Sequence, residues 1–219
     1  MSTKEEIGFS WSIFNKMPIM GIVRGICLED FQKIIPVYVK SGLTTLEVTM
    51  NTPNVEHLIK FAVKEYSGII NVGAGTVCSL EDLDVAIDLG AQFIVTPLIN
   101  EEVIITCVGR NVPIFPGALT PSEIYCAWRL GAEIVKVFPA SNLGAGYIQD
   151  ILGPLEKVRL LPTGGINLNN MESFLKIGVA GFGVGSPLFD KSLIAAKDWE
   201  GLGRHFACYV KLIEDFRSA

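Results

Sequence analysis

Short apolar runs recur eight times along this chain, each followed by a stretch of helical periodicity, and that alternation restricts it to folds assembled from βα units. The runs lie at 18–23, 44–49, 69–74, 92–96, 112–116, 133–138, 158–162 and 180–185. The helical patterns fall at 28–41, 53–66, 79–89, 100–109, 121–130, 144–153, 168–177 and 194–217. Ser79 ahead of Leu80-Glu81-Asp82, and Thr120-Pro121-Ser122-Glu123, read as helix starts, with a side-chain cap followed by proline or acidic residues in the first turn. Eight such pairs in 219 residues predict a (β/α)8 TIM barrel forming one domain over 1–219, with residues 1–16 as an extra N-terminal helix at one end. The alternative is an open doubly wound sheet. Its usual glycine signature is missing, since GAGT (73–76) and TGGI (163–166) lack the GxGxxG spacing.

Composition narrows the class of function. With 49% hydrophobic residues the chain can bury one sizeable core, and a net charge of -5 with scattered lysines and arginines offers no basic stripe to a nucleic acid. Five widely spaced cysteines (Cys27, Cys78, Cys107, Cys126, Cys208) without a CxxC pair suit free thiols in a reducing compartment and speak against a zinc site. The N-terminus lacks the basic region and apolar run of a signal peptide, and no apolar stretch is long enough to span a bilayer. The expectation is a cytoplasmic protein with no membrane or nucleic-acid partner. His57 and His205 fall in helical stretches away from strand ends, and Trp11, Trp128 and Trp199 read as helix-packing residues.

Two charged residues interrupt strands that should be apolar. Lys136 lies within EIVKVF, where an ammonium taken out of water needs a partner or a lowered pKa, and a neutral amine is a nucleophile able to form a Schiff base. Glu47 interrupts TLEVT, and the alternation of a strand puts Thr45, Glu47 and Thr49 on one face. The two charges could simply neutralise each other, or Glu47 could move protons beside a lysine nucleophile. In a barrel the active site lies at the C-terminal ends of the strands. The groups expected there are Arg24, Glu47 with Thr49 and Asn51, Thr76, Thr96-Pro97, Pro116-Gly117, Lys136, Thr163-Gly164-Gly165 and Gly185-Ser186. The glycine turns after strands seven and eight precede expected helix starts, where free backbone N–H groups favour a phosphate.

With these residues in place, the chain resembles the class I aldolases that cleave 2-keto-3-deoxy-6-phosphogluconate (KDPG) and 4-hydroxy-2-oxoglutarate (KHG). The resemblance runs from Pro18 to Ser186 through LEVTMNTP (46–53), VGAGTV (72–77), FIVTP (93–97), PGALTPSE (116–123), VKVFPA (135–140) and LPTGGI (161–166). It implies that Lys136 is the Schiff-base lysine and Glu47 the general acid/base. Thr76, Pro97 and Phe138 would line the pyruvate pocket. Thr163, Gly164, Gly165, Gly185 and Ser186 would form the aldehyde and phosphate side. Asn51 stands where many members carry an arginine for the substrate carboxylate, and Arg24 in GIVRG resembles an arginine that other members use. The reaction so implied is retro-aldol cleavage of a phosphorylated keto acid to pyruvate and glyceraldehyde 3-phosphate, without metal or organic cofactor, in a homotrimer. GIVRG and Asn51 look like the members acting on the galactonate epimer, whereas Thr163 looks like the gluconate members, and the gluconate acid is the expected substrate. A phosphosugar isomerase or epimerase using Glu47 as base, and a non-catalytic phosphate-binding barrel, are the rival readings.

Overall fold

The computed structural model describes residues 8–218, so residues 1–7 of the expected N-terminal helix lie outside the described residues. Among the described residues nine short strands run parallel: β1 (Ile19–Val23), β2 (Thr45–Thr49), β3 (Asn71–Gly75), β4 (Ile94–Val95), β5 (Ile114–Phe115), β6 (Gly117–Ala118), β7 (Val135–Val137), β8 (Leu160–Pro162) and β9 (Phe182–Val184). One sheet has the order β5-β4-β3-β2-β1-β9 and the other β6-β7-β8. A parallel bridge between Thr163 and Gly183 joins β8 to β9 and closes the circle. The eight expected strands are present, with one amendment. The fifth run is divided at Pro116, which has no N–H to give a ladder. Its first half pairs with β4 (Ile94 with Ile114), and its second half pairs with β7 (Gly117 with Lys136). At the junction the Thr96 hydroxyl accepts the Gly117 N–H at 3.1 Å.

The helices are α1 (Trp11–Lys16), α2 (Leu28–Lys40), α3 (Val55–Tyr66), α4 (Leu80–Asp88), α5 (Glu101–Gly109), α6 (Pro121–Arg129), α7 (Gly144–Leu152), α8 (Met171–Leu175), α9 (Lys191–Ala195) and α10 (Trp199–Ser218). Both expected caps form. The Ser79 hydroxyl accepts the Asp82 N–H, and Thr120 makes a full capping box with Glu123 behind a proline at the first position. The last expected helix is two helices. Lys197 turns into the left-handed region (φ 54), and the Asp198 carboxylate accepts the Gly201 N–H at 2.8 Å to start α10.

The apolar stripes of the helices bury against the outside of the barrel. On α2, for example, Phe31, Ile34, Ile35 and Tyr38 are buried, each worth roughly 1.5–3 kcal/mol for a large apolar side chain. The Tyr38 hydroxyl is paired as well: it donates to the Thr45 carbonyl at 2.6 Å and accepts the Gly21 N–H at 3.2 Å. Inside the barrel the packing is graded. Phe14 of α1, with Phe9 and Trp11, stacks edge and tilt against Phe93 and Phe115, and Met20, Val95, Ile134 and Leu161 complete this cluster near the N-terminal ends of the strands. The N-terminal helix thus plugs one end of the barrel. Trp128 and Trp199 pack against the outer core, as expected of helix-packing residues.

Candidate active site

Above the aromatic plug the barrel interior turns polar. Glu47 is 1% and Lys136 6% exposed, on β2 and β7. Register places Glu47 level with Ile22 of β1 and Gly73 of β3, while Lys136 lies level with Gly117 and Leu161. Glu47 fits because its neighbour has no side chain: a Cβ on Gly75 would come 1.6 Å from Glu47 Oε1. Gly73 in turn leaves room for the Phe93 ring, which a Cβ there would meet at 2.6 Å. Two glycines in alternation inside a strand therefore shape the floor of the site. Their signal in the sequence is the spacing itself, because interior strand glycine marks a close approach. Their steric role is not visible in the sequence alone.

Among the described residues neither Glu47 nor Lys136 belongs to an ion pair, and the buried Glu47 Oε2 has no hydrogen-bond partner. The two groups are nonetheless coupled by charge. Burial pushes the Glu47 carboxyl above its ordinary value, against the attraction of Lys136 and Arg24. Burial likewise pushes the Lys136 ammonium down, against the pull of Glu47 and with help from Arg24. Both directions favour neutral forms, so the pair is poised for proton exchange and nucleophilic attack rather than locked as a salt bridge. The Lys136 Nζ stands 5.0 Å from the centre of the Phe138 ring.

The remaining expected residues converge on the same mouth, because all strands run parallel. Arg24 follows β1 and is exposed, and its charge reaches both Glu47 and Lys136. Asn51, also exposed, follows β2. Thr76 follows β3 at φ 59, a costly backbone for a β-branched residue and a mark of functional sites. Pro97 follows β4, its backbone so near Gly117 that a Cβ there would meet the Pro97 carbonyl carbon at 2.5 Å. Phe138 follows β7 and lies under Gly164, 3.2 Å from where a Cβ would sit. Thr163 is 3% exposed, and its hydroxyl donates to the Leu161 carbonyl at 3.4 Å.

Both glycine turns precede helix starts, as expected, with several residues between each turn and its helix. Gly164 and Gly165 adopt φ 91 and 72, and α8 begins only at Met171, after a turn in which the Asn167 and Asn170 amides donate to the Gly165 carbonyl. Ser186 is likewise separated from α9, which begins at Lys191. The turns themselves supply the donors. Among the described residues none accepts a hydrogen bond from the backbone N–H of Gly165 or Ser186. Such unpaired N–H groups in glycine turns form an anion cradle without a helix end.

Comparison with known proteins places this geometry among its relatives. Residues 11–205 match a family model described as KDPG and KHG aldolase. The chain is 32% identical over 197 residues to the 2-dehydro-3-deoxy-6-phosphogalactonate aldolase of Escherichia coli K12, covering 90% of this chain and 94% of that one. It is 33% identical over 197 residues to the 2-dehydro-3-deoxy-phosphogluconate aldolase of Haemophilus influenzae, covering 88% and 92%. Among solved structures, a KDPG aldolase from Legionella pneumophila, with pyruvate captured as a covalent carbinolamine intermediate, superposes with a TM-score of 0.84 at 26% identity, covering 91% of this chain and 97% of that one. Among the described residues no helix is long and apolar enough to cross a membrane.

Proposed function

As the chain belongs to the KDPG and KHG aldolase family, we propose that its single barrel domain is a class I aldolase that cleaves 2-dehydro-3-deoxy-6-phosphogluconate to pyruvate and glyceraldehyde 3-phosphate, with 4-hydroxy-2-oxoglutarate as a second substrate. The observation that carries this reading is the buried Lys136, held toward its neutral amine without an ion-pair partner and within the field of an equally buried Glu47.

The Lys136 Nζ lone pair adds to the C2 ketone, giving a carbinolamine that loses water to a protonated imine. Glu47, held protonated by its burial, gives its proton to the departing water, and the carboxylate so formed takes the proton of the C4 hydroxyl through a bridging water. The C3–C4 bond breaks, its electron pair flows into the imine as an enamine, and the aldehyde leaves. Protonation of the enamine carbon and hydrolysis then return the lysine and release pyruvate. Phe138, Thr76 and Pro97 border the pyruvate methyl. Arg24 holds the carboxylate, since Asn51 carries no charge and charge-assisted hydrogen bonds are the stronger ones. The N–H groups of Gly165 and Ser186, beside Gly164 and Gly185, receive the phosphate.

Borohydride reduction in the presence of pyruvate tests the core of this mechanism. A pyruvate-derived adduct is expected on the peptide carrying Lys136 and is expected to vanish in Lys136→Ala. Labelling of another lysine, or none in a protein that binds pyruvate, sinks it.

The galactonate epimer is the second reading, supported by Asn51 and by the likeness to the Escherichia coli galactonate enzyme. The gluconate choice rests on Thr163, because a hydroxyl that pairs with a substrate hydroxyl discriminates more strongly than an apolar neighbour. A kcat/KM comparison on the two pure epimers decides between them. Homotrimer formation is part of the same proposal. Its support is apolar surface on adjacent helices, where Val85 of α4, Ile105 of α5 and Tyr125 of α6 are 50%, 55% and 43% exposed.

A further inference from the structure

Arg24 is exposed, yet the backbone on either side of it is tied down by two threonines, Thr49 at the end of β2 and Thr52 in the turn that follows it. The Gly25 N–H donates to Thr52 Oγ1 at 3.1 Å, and the Thr49 hydroxyl donates to the Val23 carbonyl at 3.3 Å. The two hydroxyls are 3.0 Å apart. Each hydroxyl has one proton. As the Thr49 proton goes to Val23, the Thr52 proton goes to Thr49 Oγ1, and every donor in the chain of contacts is accounted for. Thr52 is 3% and Thr49 0% exposed, so water does not compete for these bonds. The Thr52 N–H also donates to the Thr49 carbonyl at 2.9 Å, closing the turn that carries Asn51. The Met50 N–H donates to the Gly75 carbonyl at 2.7 Å, fixing that turn against β3.

We propose that Thr52 and Thr49 form a hydrogen-bonded clamp that positions Arg24 for the substrate carboxylate, making Thr52 a positioning residue for pyruvate recognition. The clamp rests on the reading of Arg24 as carboxylate partner. It explains how a single exposed side chain at the mouth achieves aim: its Cα is held from the residue before and the residue after. The Thr52 hydroxyl is engaged by the Gly25 N–H and the Thr49 hydroxyl, so its part is played through the backbone beside Arg24.

The test uses solvent exchange of the pyruvate methyl protons, which needs no aldehyde, in Thr52→Val, Thr52→Ser, Arg24→Ala and the Arg24→Ala/Thr52→Val double variant. Thr52→Val is expected to raise the KM for pyruvate about five- to tenfold, the worth of roughly one hydrogen bond, with kcat little changed. Thr52→Ser, which keeps the hydroxyl, is expected to restore it. In the Arg24→Ala background Thr52→Val is expected to add nothing further. Amide hydrogen exchange at Gly25 should accelerate in Thr52→Val and remain slow in Thr52→Ser. A normal pyruvate KM in Thr52→Val beside an impaired Arg24→Ala, or fully additive losses, overturns the clamp. An unchanged KM in Arg24→Ala removes the carboxylate reading and the clamp's purpose with it, while Gly25 exchange still reports separately whether the hydrogen bonds exist.

Discussion

Glu47 carries a carboxylate with one oxygen unsatisfied, 1% exposed, in a barrel whose floor is aromatic. The cost of ionising it falls on stability as well as on chemistry. Its native pKa lies above the ordinary 4.5 because burial outweighs the opposite charges of Lys136 and Arg24. Between 4.5 and the raised native value, the unfolded chain has released a proton that the native one keeps. The stabilisation from this group is therefore complete below pH 4.5 and declines as pH rises through the native pKa. Lys136 behaves oppositely: its native pKa lies below 10.5, so its contribution is complete above that pH and declines as pH falls through the native value. Glu47→Gln removes the first slope and leaves the second. Urea denaturation across a pH series should show wild-type stability, relative to the glutamine variant, falling as pH rises from 4.5. Parallel curves would mean that the carboxyl is not held protonated. The same variant should turn over about 10²- to 10⁴-fold more slowly, the usual cost of a lost general acid/base.

At the scale of elements, the site is as much the work of β3 as of the two strands that bear charge. Gly75→Ala tests this without touching a charged group. The added methyl would fall 1.6 Å from Glu47 Oε1, so the carboxylate must swing out of place. Turnover should drop toward that of Glu47→Gln, while borohydride trapping of pyruvate on Lys136 persists, because the amine's own strand is undisturbed. Wild-type turnover would show that Glu47 has slack the packing does not suggest. Lys136 and Glu47 were legible in the sequence because each breaks an apolar run, and the caps Ser79 and Thr120 because capping chemistry is local. Gly75 was not, since its importance depends on which strand lies beside it. The same holds for Pro116 and Lys197. One divides a strand by withholding a donor to a neighbour far away in sequence, and the other breaks a helical period that runs smoothly across it.

For the whole molecule the decisive event is closure, since only a closed barrel brings the glycine turns after β8 and β9 to the mouth that Arg24 and Glu47 share. The count of βα units made a barrel legible. The seam was not, because no periodicity states which residues meet when the ends of a sheet join. The structure puts that seam at the bridge between Thr163 and Gly183. It is tight: a Cβ on Gly183 would lie 2.3 Å from Thr163 Oγ1 and 3.0 Å from its Cγ2. Gly183→Ala should therefore cost about 1–3 kcal/mol of stability by overpacking. Thr163→Ala removes the two nearer atoms and leaves only the Thr163 Cβ at 3.1 Å, so the double variant should recover much of the loss, a non-additivity that urea denaturation of the four proteins measures directly. Additive losses would place the strain elsewhere and leave the two halves of the barrel joined by something other than this contact. Recovery of stability without recovery of epimer preference would separate the two duties assigned to Thr163, closing the barrel and reading the substrate hydroxyl.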